Sequence, residues 1–163
     1  SYKPILLTEV GQQAATLVLR KHRLTEMFLY EKMGLGWEQV HKIAEQIEHI
    51  KSDLFFDKMD EMLNYPKTDP HGEPIPTKEG DFFQSDDLQL SSFDKGDVVL
   101  FMAVGDSSNE FLEYLNKREL HIGQKIKIIS KETFDNSLII SCNNRKEVVL
   151  SKMVCDKILV TKS

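Results

Sequence analysis

The sequence predicts an α+β chain in two parts, an all-helical domain followed by a small, β-rich domain. Apolar residues recur at helical intervals as far as Leu63, a proline-rich tract follows, and beyond it the apolar residues gather into short runs between polar turns. With 163 residues, 40% of them hydrophobic, the chain can build one domain or two small ones with real cores.

Thr8 is placed to cap a helix starting at Glu9, in which Ala14, Leu17, Val18, Leu24 and Phe28 repeat at helical spacing. Gly34-Leu35-Gly36 is a turn signal that stops it near Lys32. A second helix is expected from about Trp37 through Glu48, with a continuation or a third helix reaching Leu63 and carrying Leu54, Phe55, Met59 and Met62. Asn64-Tyr65-Pro66 ends this part, giving a helical domain over residues 8–66. Pro66, Pro70, Pro74 and Pro76, with Gly72 among them, favour an extended connection, and residues 67–89 read as a proline-rich linker. Strands are expected over 98–104, 126–129, 138–140, 148–150 and 158–160, with turns at 132–136 and Asn143-Asn144 and one helix over 109–118. Short strands with glycines at Gly96, Gly105 and Gly123 suit a small twisted sheet or an SH3-like barrel over residues 90–163.

Composition excludes several classes. The net charge is -5, and the basic residues are scattered or in short groups such as Arg20-Lys21-His22-Arg23, a poor footprint for DNA binding by these residues themselves. Cys142 and Cys155 have no CxxC spacing, which argues against a disulfide scaffold or a Cys-rich zinc site and for a reducing compartment. No apolar run has the length of a membrane span and Ser1-Tyr2-Lys3-Pro4 is not a signal sequence, so a cytoplasmic protein is expected. The first residue is not methionine, which permits a processed or truncated chain.

The most informative segment is His41-Lys42-Ile43-Ala44-Glu45-Gln46-Ile47-Glu48-His49. At roughly 100° per residue, His41, Glu45, Glu48 and His49 share one stripe, beside an apolar stripe of Trp37, Val40, Ala44 and Ile47. Clustered carboxylates repel unless a cation compensates them, and imidazole with carboxylate suits Mn²⁺, Fe²⁺, Co²⁺ or Zn²⁺ better than Ca²⁺. A solvated helix face is the plainer alternative. His22 and Glu26, at i and i+4 on the preceding helix, add a second pair that can meet His41. The pattern suggests two adjacent cation sites, one from Glu45, Glu48 and His49 and one from His22, Glu26 and His41. Catalytic signatures are missing: there is no HExxH, GxSxG, phosphate loop or dinucleotide fingerprint, and no enzyme is expected. His71, in Asp69-Pro70-His71-Gly72, has no nucleophile or orienting acid in view and reads as local to the linker.

Three segments, Arg20-Lys21-His22-Arg23-Leu24-Thr25-Glu26, Val40-His41 and Glu45-Gln46-Ile47-Glu48-His49-Ile50, closely resemble the metal-binding and dimerisation region of the DtxR/MntR family of metal-dependent transcriptional repressors. Residues 69–76 resemble that family's proline-rich segment, and residues 90–160 its FeoA-like, SH3-type domain. The resemblance implies that Glu45, Glu48 and His49 belong to the regulatory metal site and His22, Glu26 and His41 to the ancillary one. It implies a homodimer activated by Mn²⁺ or Fe²⁺, with Zn²⁺, Co²⁺ or Ni²⁺ as substitutes, that represses metal-uptake genes by binding operator DNA. No membrane and no small-molecule substrate are expected. Glu45 stands where iron-type members carry cysteine, which hardens the site toward Mn²⁺. Residues 1–7 would be a remnant of the wing of a largely missing winged helix-turn-helix, leaving the regulatory site incomplete and DNA binding weak. Met102 and Gly105 fall where iron-type members supply hard ligands from the barrel, with Asp106 as a neighbouring substitute. The alternative is a metal-binding accessory or interaction module related to ferrous iron transport.

Overall fold

The computed structural model describes residues 8–83, 85–142 and 147–163. The opening residues 1–7 and the turn expected at Asn143-Asn144 lie outside them. The chain divides into two compact units, one up to residue 84 and one from residue 85.

In the first unit, helix α1 spans Glu9–Glu31, and the Thr8 hydroxyl accepts from the Gly11 N–H at 3.2 Å, satisfying one of the orphan donors of the first turn. Gly34 follows its end with a φ of 71°, a backbone that suits glycine. Helix α2 is shorter than expected, His41–Ile47 instead of starting at Trp37. Residues 36–39 form a turn instead, in which the Gln39 N–H donates to the Gly36 carbonyl and the Gln39 side-chain oxygen accepts from the Gly36 N–H. Beyond α2 the chain leaves helical backbone so that Ser52, extended at φ -143°, can cap helix α3 (Asp53–Met62) by accepting from the Phe55 N–H. The segment after α1 therefore holds two short helices, and His49 falls past the end of α2.

Leu24 of α1 packs with Phe56, Met59 and Leu63 of the α3 region and with Ile75. Met59 is a core residue at 4% exposure, while Leu54, Phe55 and Met62 stay exposed. Alternation around α3 explains the split, since Phe56, Met59 and Leu63 follow 3–4 spacing on the face toward α1. Ile75 brings the proline-rich tract into this core, and two arginines hold its backbone: Arg20 donates to the Pro76 carbonyl and Arg23 to the Pro74 carbonyl, each at 2.6 Å. Asp60 and Glu73 neutralise the two guanidinium groups.

The second unit is a six-stranded antiparallel sheet of β1 (Leu88–Gln89), β2 (Val98–Val104), β3 (Lys125–Lys131), β4 (Leu138–Cys142), β5 (Glu147–Leu150) and β6 (Ile158–Lys162), in the order β1-β6-β2-β3-β4-β5. Helix α4 (Asn109–Asn116) follows β2, and a single-turn helix α5 (Lys152–Cys155) precedes β6. Register shifts between Phe101 and Ala103 and between Ile128 and Ser130 bend β2 and β3, the device that curls a small sheet toward a barrel. Buried Phe101, Leu112, Leu115, Ile126, Ile140 and Ile158 supply its core. Strand β1 and helix α5 were not foreseen, being too short to show a periodicity. Asp106 is engaged inside this unit: it is paired with the Lys157 ammonium and accepts from the Ser108 N–H at 2.8 Å, and Lys157 and Ser108 lower its pKa from 3.8 to about 2. Among the described residues, no helix is long and apolar enough to cross a membrane.

Candidate metal centre

Helix α1 presents His22 and Glu26 one turn apart, and α2 opens with His41 opposite them. His22 Nε2 lies 3.0 Å from Glu26 Oε1 and 3.1 Å from His41 Nδ1, and His41 Nδ1 is 3.1 Å from the same Glu26 oxygen. The two imidazoles meet edge to face with centroids 4.8 Å apart. Three donor atoms so close leave lone pairs facing one another unless a proton or a cation stands between them. Two imidazole nitrogens and a carboxylate oxygen fit a divalent transition ion of intermediate softness.

Glu26 is only 2% exposed and uses both oxygens. Its Oε2 lies 3.5 Å from Nδ1 of His71, which is also 2% exposed. The His71 Nε2–H donates to the Trp37 carbonyl at 2.9 Å; a carbonyl only accepts, so this nitrogen carries a proton. Burial disfavours charge on both Glu26 and His71, but the pairing outweighs it. Hydrogen bonds from His22 and His71 hold Glu26 well below the usual carboxylate range, and Asp69 and Glu26 push His71 up to about 10. Asp69 completes this buried group: its Oδ1 accepts from the N–H of His71 at 2.8 Å and of Glu73 at 3.0 Å, while its buried Oδ2 has no hydrogen-bond partner among the described residues and faces Arg23 Nε at 3.8 Å and His71 Nδ1 at 3.9 Å. Glu26 therefore belongs to two clusters with metal-ligand composition, one with His22 and His41 and one with Asp69 and His71. Sequence reasoning missed Asp69 and His71 because a proline-rich tract has no periodicity from which to read a facing partner. The buried Ile75 and the two arginines are what fold the tract against α1.

Glu45, Glu48 and His49 are not drawn to one point. Glu48 turns toward His22, with its Oε2 2.5 Å from His22 Nδ1, and its side chain is 16% exposed. Glu45 is more than half exposed and lies 3.5 Å from His41 Nε2, while His49, past the helix end, approaches Glu48 Oε1 at 3.7 Å. The six residues singled out from the sequence nevertheless form one unbroken chain of contacts, His49–Glu48–His22–Glu26–His41–Glu45. Burial opposes charge on His22, but Glu26 and Glu48 prevail and its pKa is raised.

Comparison with known proteins gives the same outline. Residues 8–77 match the profile of the "Iron dependent repressor, metal binding and dimerisation domain", and residues 88–162 match that of the FeoA domain. The iron-dependent repressor IdeR of Mycobacterium tuberculosis is 46% identical over 70 residues, 43% of this chain, and the match spans only 30% of that repressor's length. Among solved structures, a manganese-dependent transcriptional repressor in complex with manganese aligns with 98% of this chain and 76% of its own at 28% identity, with a TM-score of 0.89. ScaR with bound Zn²⁺ aligns with 97% of this chain and 78% of its own at 31% identity, with a TM-score of 0.80. Ligand chemistry, helical unit, six-stranded unit and these matches agree, and the chain belongs to the DtxR/MntR family of metal-dependent transcriptional repressors.

Proposed function

We propose that this chain is the sensing and dimerising part of a transcriptional repressor that responds to Mn²⁺ or Fe²⁺. The observation that carries the reading is the convergence of His22, buried Glu26 and half-exposed His41 from two helices, continued through Glu48 and Glu45 toward solvent. Glu45 is a carboxylate, so the donor set is hard and favours Mn²⁺, with Fe²⁺ next; Zn²⁺, Co²⁺ and Ni²⁺ fit the same donors in vitro. His22, Glu26 and His41 hold one ion in this reading, and Glu45, Glu48 and His49 serve a second together with groups outside the described residues.

The mechanism is linkage. A cation that binds one arrangement of helices more tightly shifts the population toward it by its difference in affinity between the arrangements. In the intact protein, that arrangement is the one in which a dimer presents two DNA-reading elements to an operator of two related half-sites. The exposed side chains of Leu54, Phe55 and Met62 border an apolar groove with Phe28 and supply the contact between subunits. The test is a titration of the full-length protein with Mn²⁺, Fe²⁺ and Zn²⁺ while binding to its own promoter DNA is followed. Metal-dependent binding that is lost in His22→Ala is expected; binding indifferent to all three ions overturns the reading.

A further inference from the structure

The two ring nitrogens of His22 face different partners. Nε2 points to Glu26 and His41, and Nδ1 points to Glu48. A histidine that gives a cation the lone pair of Nε2 keeps its proton on Nδ1, and that N–H needs an acceptor to fix the ring and raise the donor strength of the other nitrogen. Glu48 Oε2, at 2.5 Å, is that acceptor. The ring is only 12% exposed, so water competes little for the N–H. Glu48 sits one residue beyond α2, at its C-cap, where its own N–H is tied to the Ala44 carbonyl, so its position is fixed by the helix end.

We propose that Glu48 is a positioning residue for the inner cation pocket of His22, Glu26 and His41, holding His22 in the Nδ1–H form with Nε2 directed at the ion. This role is additional to any contact Glu48 makes on the Glu45 and His49 side, and it rests on the reading that His22, Glu26 and His41 bind a cation. One carboxylate then serves both regions: Oε2 is committed to His22, and Oε1, 3.7 Å from His49 Nε2, faces the outer group. The two regions are consequently mechanically joined at a single side chain.

The test isolates the inner pocket in the whole chain by placing Glu45→Ala and His49→Ala together, then titrates it with Co²⁺ by visible absorption and with Zn²⁺ by competition. In this background Glu48→Leu is expected to weaken binding about 10- to 100-fold, the range for losing an outer-shell partner of a ligating histidine. Glu48→Gln keeps an acceptor without charge and is expected to fall between the two. A downfield His22 Nδ1–H proton resonance in the Zn²⁺-loaded background, moved upfield by Glu48→Gln, gives a readout that a packing role would not shift. Equal affinity in the background and both Glu48 variants overturns the proposal and leaves the inner pocket standing. No binding in the background, with wild-type binding unaffected by His22→Ala, overturns the pocket itself and the proposal with it.

Discussion

Replacing Ile75 by alanine tests whether the proline-rich tract is part of the fold. Ile75 is 2% exposed and packs with Leu24, Phe56, Met59 and Leu63. The change removes three carbon atoms from that cluster, a transfer loss of about 2.4 kcal/mol at ~0.8 kcal/mol per buried carbon. A cavity contribution adds to this, moderated because a surface tract can settle inward, so a total of about 3 kcal/mol is expected. Urea denaturation of the wild-type and variant chains, followed by far-UV circular dichroism of the helical unit, gives the difference. The midpoint should fall with the slope unchanged. The loss should propagate to the candidate metal centre, because residues 69–73 carry Asp69 and His71 to Glu26 and are moored by Ile75 and the two arginines. A change under ~0.5 kcal/mol, the size of an ordinary surface substitution, would refute the packing argument.

Asp106 gives a pH-dependent expectation in the second unit. Its pKa is lowered from 3.8 to about 2, so it contributes stability above the ordinary value, and that contribution disappears as pH falls toward 2. Asp106→Asn should cost roughly 1 kcal/mol near neutral pH, discounted for a partly exposed pair, and the gap to wild type should close between about pH 4 and 2. A gap of constant size across that interval in denaturation experiments would assign it to something other than the Lys157 and Ser108 contacts. On the apolar face, Leu54→Lys with Met62→Glu leaves the core untouched, since both side chains are more than half exposed. Light scattering coupled to size exclusion should show the proposed dimer dissociating at least ~10-fold more readily; an unchanged mass at all concentrations would place the contact elsewhere.

The sequence carried most of what local rules can express. Thr8 and Gly34 bracket α1 as their chemistry requires, and the spacing of His22 and Glu26 put both on the face that meets His41. Local rules failed where a boundary was set by competition: Gly36–Gln39 bonding and the Ser52 cap shortened α2, which moved His49 off the stripe that helical angles alone gave it. They failed again for Asp69 and His71, whose partners Arg23 and Glu26 lie about 45 positions away. Glu48 was found by its spacing with Glu45 and His49, but its approach to His22 of α1 shows only in the side-chain geometry.

Arg20 and Arg23 are three residues apart on a helix, and the carbonyls they grip belong to Pro74 and Pro76, two residues apart on an extended segment. Alternate carbonyls of an extended chain point the same way, so at positions 74 and 76 the helix reads the backbone by its length and phase, while Ile75 between them is held by its side chain. Substitutions at 74 and 76 that keep an extended backbone can preserve both bonds. Inserting or deleting a single residue between them turns one carbonyl away and breaks the match. Positions 74 and 76 should therefore tolerate changes of letter far better than the stretch tolerates changes of count.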